Sequence, residues 1–151
     1  MSQIKDESMY FVVCGSGELL KENKELARTL GMEKRTIFTG YREDIANFYK
    51  MADLFVFPSF REGLPVALME AMAAELPCIA SQIRGNVDLM PDSPFLFRPG
   101  DVNTLAELIQ RCSNMDMSAE IEKNSRHLRQ FSLDTVASQM RKIYCEQLSP
   151  T

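Results

Sequence analysis

The sequence holds 151 residues with a net charge of −4, 45% of them hydrophobic and 25% charged, the make-up of one globular domain large enough for a real core. Its acidic balance, with no basic stripe, excludes nucleic acid as the expected partner, and no stretch approaches the roughly 20 apolar residues that cross a bilayer. The first eight residues, Met1-Ser2-Gln3-Ile4-Lys5-Asp6-Glu7-Ser8, are polar and acidic, unlike a signal peptide.

The apolar runs alternate with amphipathic ones. Met9-Tyr10-Phe11-Val12-Val13-Cys14 is short and β-rich, which predicts a buried parallel strand ended by Gly15. From residue 17 to 30, Leu19, Leu20, Leu26, Ala27 and Leu30 suit one face of a helix, and Gly31 ends it. Residues 36–40 read as the next strand. Residues 42–51 read as a helix with Ile45, Phe48 and Tyr49 inward. Residues 53–57 form a strand stopped by Pro58, and residues 65–74 a helix opened by Pro65, whose missing N–H costs nothing there. Residues 77–81 read as a strand, 85–90 as a short helix and 95–97 as a weak last strand. A helix over 101–114 follows, with Leu105, Leu108, Ile109 and Cys112 at helical spacing. Helices over 118–128 and 133–148 close the chain, the second with Ser132 as N-cap. Strand–helix alternation of this kind specifies an α/β fold, a Rossmann-like three-layer α/β/α sandwich with a mostly parallel sheet. Ligands of such sheets bind beyond the carboxyl ends of the strands.

The four cysteines, Cys14, Cys78, Cys112 and Cys145, are far apart and form no Cys-x-x-Cys pair. They read as reduced, buried thiols of a cytosolic protein rather than as metal ligands or disulfides.

Two loops carry chemistry. Gly15-Ser16-Gly17-Glu18 follows the first strand and opens a helix, so backbone N–H groups there could approach an anion, or the turn could simply open the helix with no ligand. The dinucleotide fingerprint would place a small residue where Leu20 stands and an acid at the end of the next strand. Neither is present, which disfavours an NAD enzyme. The loop after Phe57 says more: Glu62 precedes the Pro65 helix and Glu70 lies inside it. Between them is a helix amino end with free N–H groups and partial positive charge, where a diphosphate would rest on Val66, Ala67 and Leu68. Glu70 lies about 7–8 Å along the helix axis from Pro65, within reach of a ribose joined to the phosphates, while Glu62 is placed to meet a sugar. Val66, Met69, Met72 and Ala73 are expected to face the sheet, with Glu70 near that face and therefore in need of a ligand or protein partner. The plainer alternative is two acids that solvate and cap a helix.

The stretch from Phe57 to Gly85 resembles the retaining glycosyltransferases of family 4, which have the GT-B fold. Their Glu-x7-Glu mark stands here as Glu62 and Glu70, inside a Pro-Ser-x-x-Glu-Gly-Leu-Pro run that continues to Pro77, Ser81 and Gly85. The strand and Gly-x-Gly turn at 14–18, the Phe-x-Gly-Tyr-Arg-x-Asp segment at 38–44 and Pro99-Gly100-Asp101 extend the likeness over about residues 10–145. The resemblance implies that the chain is one nucleotide-sugar-binding domain over 1–151, lacking the first strand and helix of that domain and the whole N-terminal acceptor domain. It implies that Glu70 binds ribose hydroxyls. Glu62 would contact the donor sugar with Gly63 and Leu64 nearby, and would be the residue closest to catalysis. The Val66 and Ala67 amides would hold the diphosphate. Tyr41 and Arg42 would line the base pocket, and Gly15 and Gly17 the cleft. No metal or resident cofactor is expected; the donor is a nucleotide sugar of UDP type. The implied reaction is transfer of a hexose to a surface or exopolysaccharide acceptor, in the cytoplasm or against the inner membrane face. The resemblance brings no established protein nucleophile, and implies that the leaving phosphate, close to the attacking hydroxyl, helps to take its proton.

The sequence departs from the family pattern in three places. Glu75 replaces a customary glycine at a helix end, Asp88 replaces a glutamate, and no Arg-x4-Lys precedes Met9. Because the family reaction occurs in the cleft between two domains, the isolated chain is expected to bind donor weakly and turn over little. The reading from a different class is a non-catalytic binding or structural module completed by a separate chain, with homodimerisation through an exposed sheet edge as a further expectation. His127, the single histidine, reads as a surface residue rather than a general base.

Overall fold

The computed structural model describes residues 2–4 and 6–148. Of the domain expected over 1–151, Met1, Lys5 and residues 149–151 lie outside the described residues. In chain order the elements are β1 (Phe11–Cys14), α1 (Leu20–Thr29), β2 (Thr36–Gly40), α2 (Ile45–Met51), β3 (Phe55–Phe57), α3 (Val66–Ala73), β4 (Cys78–Ser81), α4 (Arg84–Leu89), β5 (Leu96–Phe97), α5 (Val102–Cys112), α6 (Ser118–Leu128) and α7 (Leu133–Leu148). One-turn helices at Glu33–Arg35 and Arg129–Phe131 precede β2 and α7. This is the α/β alternation that the hydrophobic pattern specifies.

Every pairing between these strands is parallel, but the pairing divides into two sheets, β1–β2 and β3–β4–β5, that do not hydrogen-bond to each other. The core belongs to the second sheet. All four residues of β4 are buried, because helices cover both of its faces, as parallel strands require. Leu68, Ala71 and Met72 of α3, Leu89 and Met90 at the end of α4, and Leu108, Ile109 and Cys112 of α5 close around it. The expected inward stripe of α5 is therefore realised, and its start is fixed by Asp101, whose carboxylate accepts from the Thr104 N–H at 3.0 Å. Ser132 caps α7 as expected, its hydroxyl accepting from the Thr135 N–H at 3.2 Å.

The first sheet departs from expectation. Strand β1 is not buried: Phe11 and Val12 are 39% and 41% exposed, and Cys14 is half-buried. The apolar face of α1 is likewise open at Leu19, Leu26 and Leu30, with only Ala27 of the face buried. Two strands present too little surface to cover a ten-residue helix. Conversely, Ile4, in a segment that reads as polar, is 2% exposed and joins the main core. Cys145 is exposed rather than buried.

Helix α3 turns a different face inward from the one its pattern suggested. Val66 and Ala73 are exposed, Met69 is half-buried, and the inner face is Pro65, Leu68, Ala71 and Met72. An octapeptide apolar but for one glutamate, Val-Ala-Leu-Met-Glu-Ala-Met-Ala, has almost no amphipathic signal. Tertiary contacts with α6 and β4 therefore set its rotation.

Candidate functional site

The loop between β3 and α3 is built against the end of β4 and the start of α4. Gly85 explains part of this: a Cβ there would run into the Gly63 carbonyl oxygen and lie 3.3 Å from the Glu62 carbonyl oxygen. Only a glycine lets the loop backbone lie down on α4. Glu62 is half-buried, and its Oε1 accepts from the Ser59 hydroxyl at 2.8 Å. The Ser59 carbonyl in turn accepts from the Ser81 hydroxyl. The fully buried Asn86 donates its amide to the Ser81 carbonyl at 2.9 Å and to its hydroxyl at 3.1 Å.

Glu70 does not face the sheet. It is exposed, and Tyr49 of α2 donates to its Oε2 at 3.1 Å. A buried, unpaired carboxylate is thus avoided by the rotation of α3 together with a protein hydroxyl. The same hydroxyl lies 3.3 Å from the Ala67 carbonyl. Burial, and then the adjoining Glu70 carboxylate, push the Tyr49 phenol well above the ordinary tyrosine range, so it stays a proton donor at physiological pH. Glu70 also borders an open groove of about 440 Å³ between α2 and α3, lined by Ile45, Lys50, Ala73 and Ala74 among others.

At the amino end of α3 the Pro65 carbonyl accepts from both Leu68 and Met69 N–H at 3.1 Å. Leu68 is therefore not a spare donor, contrary to expectation. The first N–H groups, those of Val66 and Ala67, have no acceptor within the helix. Gly63, Leu64 and Val66 are all exposed beside them.

The glycine loops of the first sheet also meet. Gly15 N–H donates to the Gly40 carbonyl at 2.8 Å, just past a bulge in the β1–β2 register, and Gly40 has φ 71°. Gly17 opens α1, its carbonyl accepting from Leu20 N–H. Beyond Gly40, Tyr41 is exposed, and Arg42 forms a paired contact with Asp44, at 2.8 Å to each carboxylate oxygen, beneath Phe48. That ion pair accounts for the Arg-x-Asp spacing. The structure therefore gathers Glu62, Gly63 and Gly85 in one cluster, Gly15, Gly40 and Tyr41 in another, and links the second to Glu70 through α2 and Tyr49. All follow the carboxyl ends of parallel strands.

Tyr49, Ser59, Ser81 and Asn86 were not singled out from sequence as site residues. One signal existed: a tyrosine on an inward helical face needs a partner for its hydroxyl. His127 is partly exposed at the surface, as expected. Its Nε2 donates to the Asp88 carbonyl at 2.9 Å and its ring packs on Phe131, away from both acids. Among the described residues no three His, Cys, Asp or Glu side chains cluster as a metal site, and no helix is long and apolar enough to cross a membrane.

Parallel strands with flanking helices and strand-end loops of this kind form the α/β fold of the GT-B glycosyltransferases. HepE of Anabaena, solved with UDP and with UDP-glucose, superposes with a TM-score of 0.85 at 24% identity, over 96% of this chain and 43% of that one. The chain belongs to the family described as Glycosyl transferases group 1, which matches residues 1–128. It is 36% identical over 120 residues to the Escherichia coli UDP-Gal:alpha-D-GlcNAc-diphosphoundecaprenol alpha-1,3-galactosyltransferase, covering 78% of this chain and 31% of that protein. It is 35% identical over 109 residues to the putative glycosyltransferase EpsD of Bacillus subtilis, covering 71% of this chain and 29% of that protein. The chain thus spans less than a third of the length of these two relatives.

Proposed function

We propose that this chain is the donor-binding part of a retaining, family 4 type glycosyltransferase that moves a hexose from a UDP-sugar to a surface or exopolysaccharide acceptor. One observation carries the reading. Glu62 precedes α3 and Glu70 lies within it, and each is held through a single carboxylate oxygen by a protein hydroxyl. Each acid thus keeps its other oxygen to accept from sugar hydroxyls. In this reading Glu70 takes the ribose, and Glu62, with the Gly63 and Leu64 backbone, takes the donor sugar. The Val66 and Ala67 amides take the diphosphate, and Tyr41 and Arg42 border the base, with Gly15 and Gly17 along the cleft. The reaction rests on positioning and charge stabilisation rather than on a protein nucleophile. UDP as the nucleotide is supported by the UDP-sugar named for the E. coli relative and by the HepE complexes. The buried thiols Cys78 and Cys112 suit the cytoplasm, where the inner membrane face would present the acceptor.

The test is calorimetric titration with UDP, GDP and ADP sugars. The parent is expected to bind a UDP-sugar. Glu70→Ala should weaken that binding by about 10- to 100-fold, since hydrogen bonds to a charged group contribute roughly 1.5–3 kcal/mol. Equal binding by parent and variant overturns the assignment. A further part of the proposal is that an acceptor domain and one more strand complete the enzyme. Among the described residues β1 pairs only with β2 and β3 only with β4, so each sheet keeps an open edge beside the site loops. The same edges favour a second reading, in which a separate chain or a second copy pairs with them. Light scattering after size exclusion distinguishes a homodimer from a monomer, and co-purification reveals a separate partner. Steady transfer by the 151-residue chain alone would defeat the need for an acceptor domain.

A further inference from the structure

We infer that the two donor-facing acids are set independently, Glu62 by a relay running Asn86–Ser81–Ser59 and Glu70 by Tyr49, so that sugar recognition and nucleotide recognition are separable in this chain. The inference rests on the donor-binding reading above.

The direction of the relay is dictated by chemistry. The Asn86 amide nitrogen can only donate, so the Ser81 hydroxyl accepts from it at 3.1 Å. That leaves the single Ser81 proton for the Ser59 carbonyl, which can only accept. The Ser59 proton then goes to Glu62 Oε1 at 2.8 Å. Asn86 and Ser81 are both 0% exposed and Ser59 and Glu62 half-buried, and the bonds among them join the end of β4, the start of α4 and the loop carrying Glu62. Asn86 Oδ1 has no partner among the described residues.

Tyr49 belongs to a different unit. The residue is 8% exposed and its ring packs edge-on against Phe55 of β3 at 5.8 Å. That packing aims the hydroxyl at Glu70 Oε2. No hydrogen bond joins Tyr49 to Ser59, Ser81 or Asn86 among the described residues. Ser59 and Tyr49 are therefore positioning residues: each acts through an acid, one acid at the sugar end and one at the nucleotide end.

The discriminating measurement is the ratio of affinities for UDP-glucose and UDP, titrated into the full chain, with thermal melts to confirm that each variant folds. Ser59→Ala is expected to leave UDP affinity within about twofold and to weaken UDP-glucose about five- to tenfold, less than the loss of a hydrogen bond made directly to the ligand, because Ser59 acts through Glu62. Ser59→Thr, which keeps the hydroxyl, should restore the ratio. Tyr49→Phe is expected to weaken both ligands by the same factor, about fivefold, and leave the ratio unchanged. If Ser59→Ala lowers both affinities alike, or if Tyr49→Phe alters the ratio, independent setting is overturned while the donor site stands. If neither variant moves any affinity, the positioning roles are overturned. If the folded parent binds neither UDP nor UDP-glucose, the donor reading falls and this inference falls with it.

Discussion

Glu75 sits where the chain leaves α3, with φ 59°. The surrounding bonds define a Schellman stop: Leu76 N–H donates to the Ala71 carbonyl and Glu75 N–H to the Met72 carbonyl, both at 3.1 Å, with Leu76 buried against the helix. This is the position that glycine favours, because a Cβ in the left-handed region costs about 1–2 kcal/mol. Part of that is returned by the lower chain entropy of glutamate in the unfolded state. Glu75→Gly should therefore stabilise the domain by about 0.5–1 kcal/mol, read as a higher urea midpoint at unchanged slope. Gly85 is the opposite case. Gly85→Ala forces its new Cβ into the Gly63 carbonyl, and displacing the loop should lower UDP-glucose binding at least tenfold, by the same titration. A fully retained affinity would mean that the loop geometry does not govern the site.

At the scale of elements, α3 is the one to question, because its sequence carries little rotational information. Its observed rotation puts Leu68 at 0% exposure and Val66 at 60%. Leu68→Ala should then cost about 2–5 kcal/mol of unfolding free energy, the range for emptying a packed leucine site. Val66→Ser should stay within about 0.5 kcal/mol, as exposed substitutions do. Comparable losses at both positions would show that the helix is turned the other way, with Glu70 towards the sheet. Helix α5 needs no such test of facing, since its stripe of Leu105, Leu108, Ile109 and Cys112 is legible at spacing and is the stripe that packs inward. The difference is physical. An amphipathic helix states its orientation, and a uniformly apolar one takes it from its neighbours.

At the scale of the whole molecule, alkaline pH is the informative perturbation. Burial pushes the Cys78 thiol up to about 12, whereas an unfolded thiol ionises near pH 8.5–9. Below that pH the thiol is protonated in both states and the contribution to stability is complete. Above it the unfolded state loses its proton first, so stability declines as pH rises towards the folded value. The slope approaches about 1.4 kcal/mol per pH unit for this group. Burial moves Cys112 in the same direction, to about 11, and Tyr49 adds a further loss above its ordinary range. Denaturation midpoints measured from pH 8 to 11 should fall progressively, and Cys78→Ala should flatten part of that fall. Under native conditions at pH 8, a thiol reagent should reach Cys78 and Cys112 only on unfolding.

The sequence by itself determined the order of strands and helices, the placing of the Glu62 and Glu70 loop at a strand's carboxyl end, and the family. Each of these depends on local periodicity, turn residues and a motif of fixed spacing. Tertiary structure alone decided which face of α3 is buried, that Glu70 meets Tyr49 across 21 positions and that Ser81 supports Ser59 across 22. It also decided that Ile4 joins the core while Phe11 and Val12 do not, and that the strands pair as two separate sheets. Those outcomes turn on how much surface neighbouring elements have left to cover and on hydrogen-bond partners distant in the chain. No local pattern encodes either.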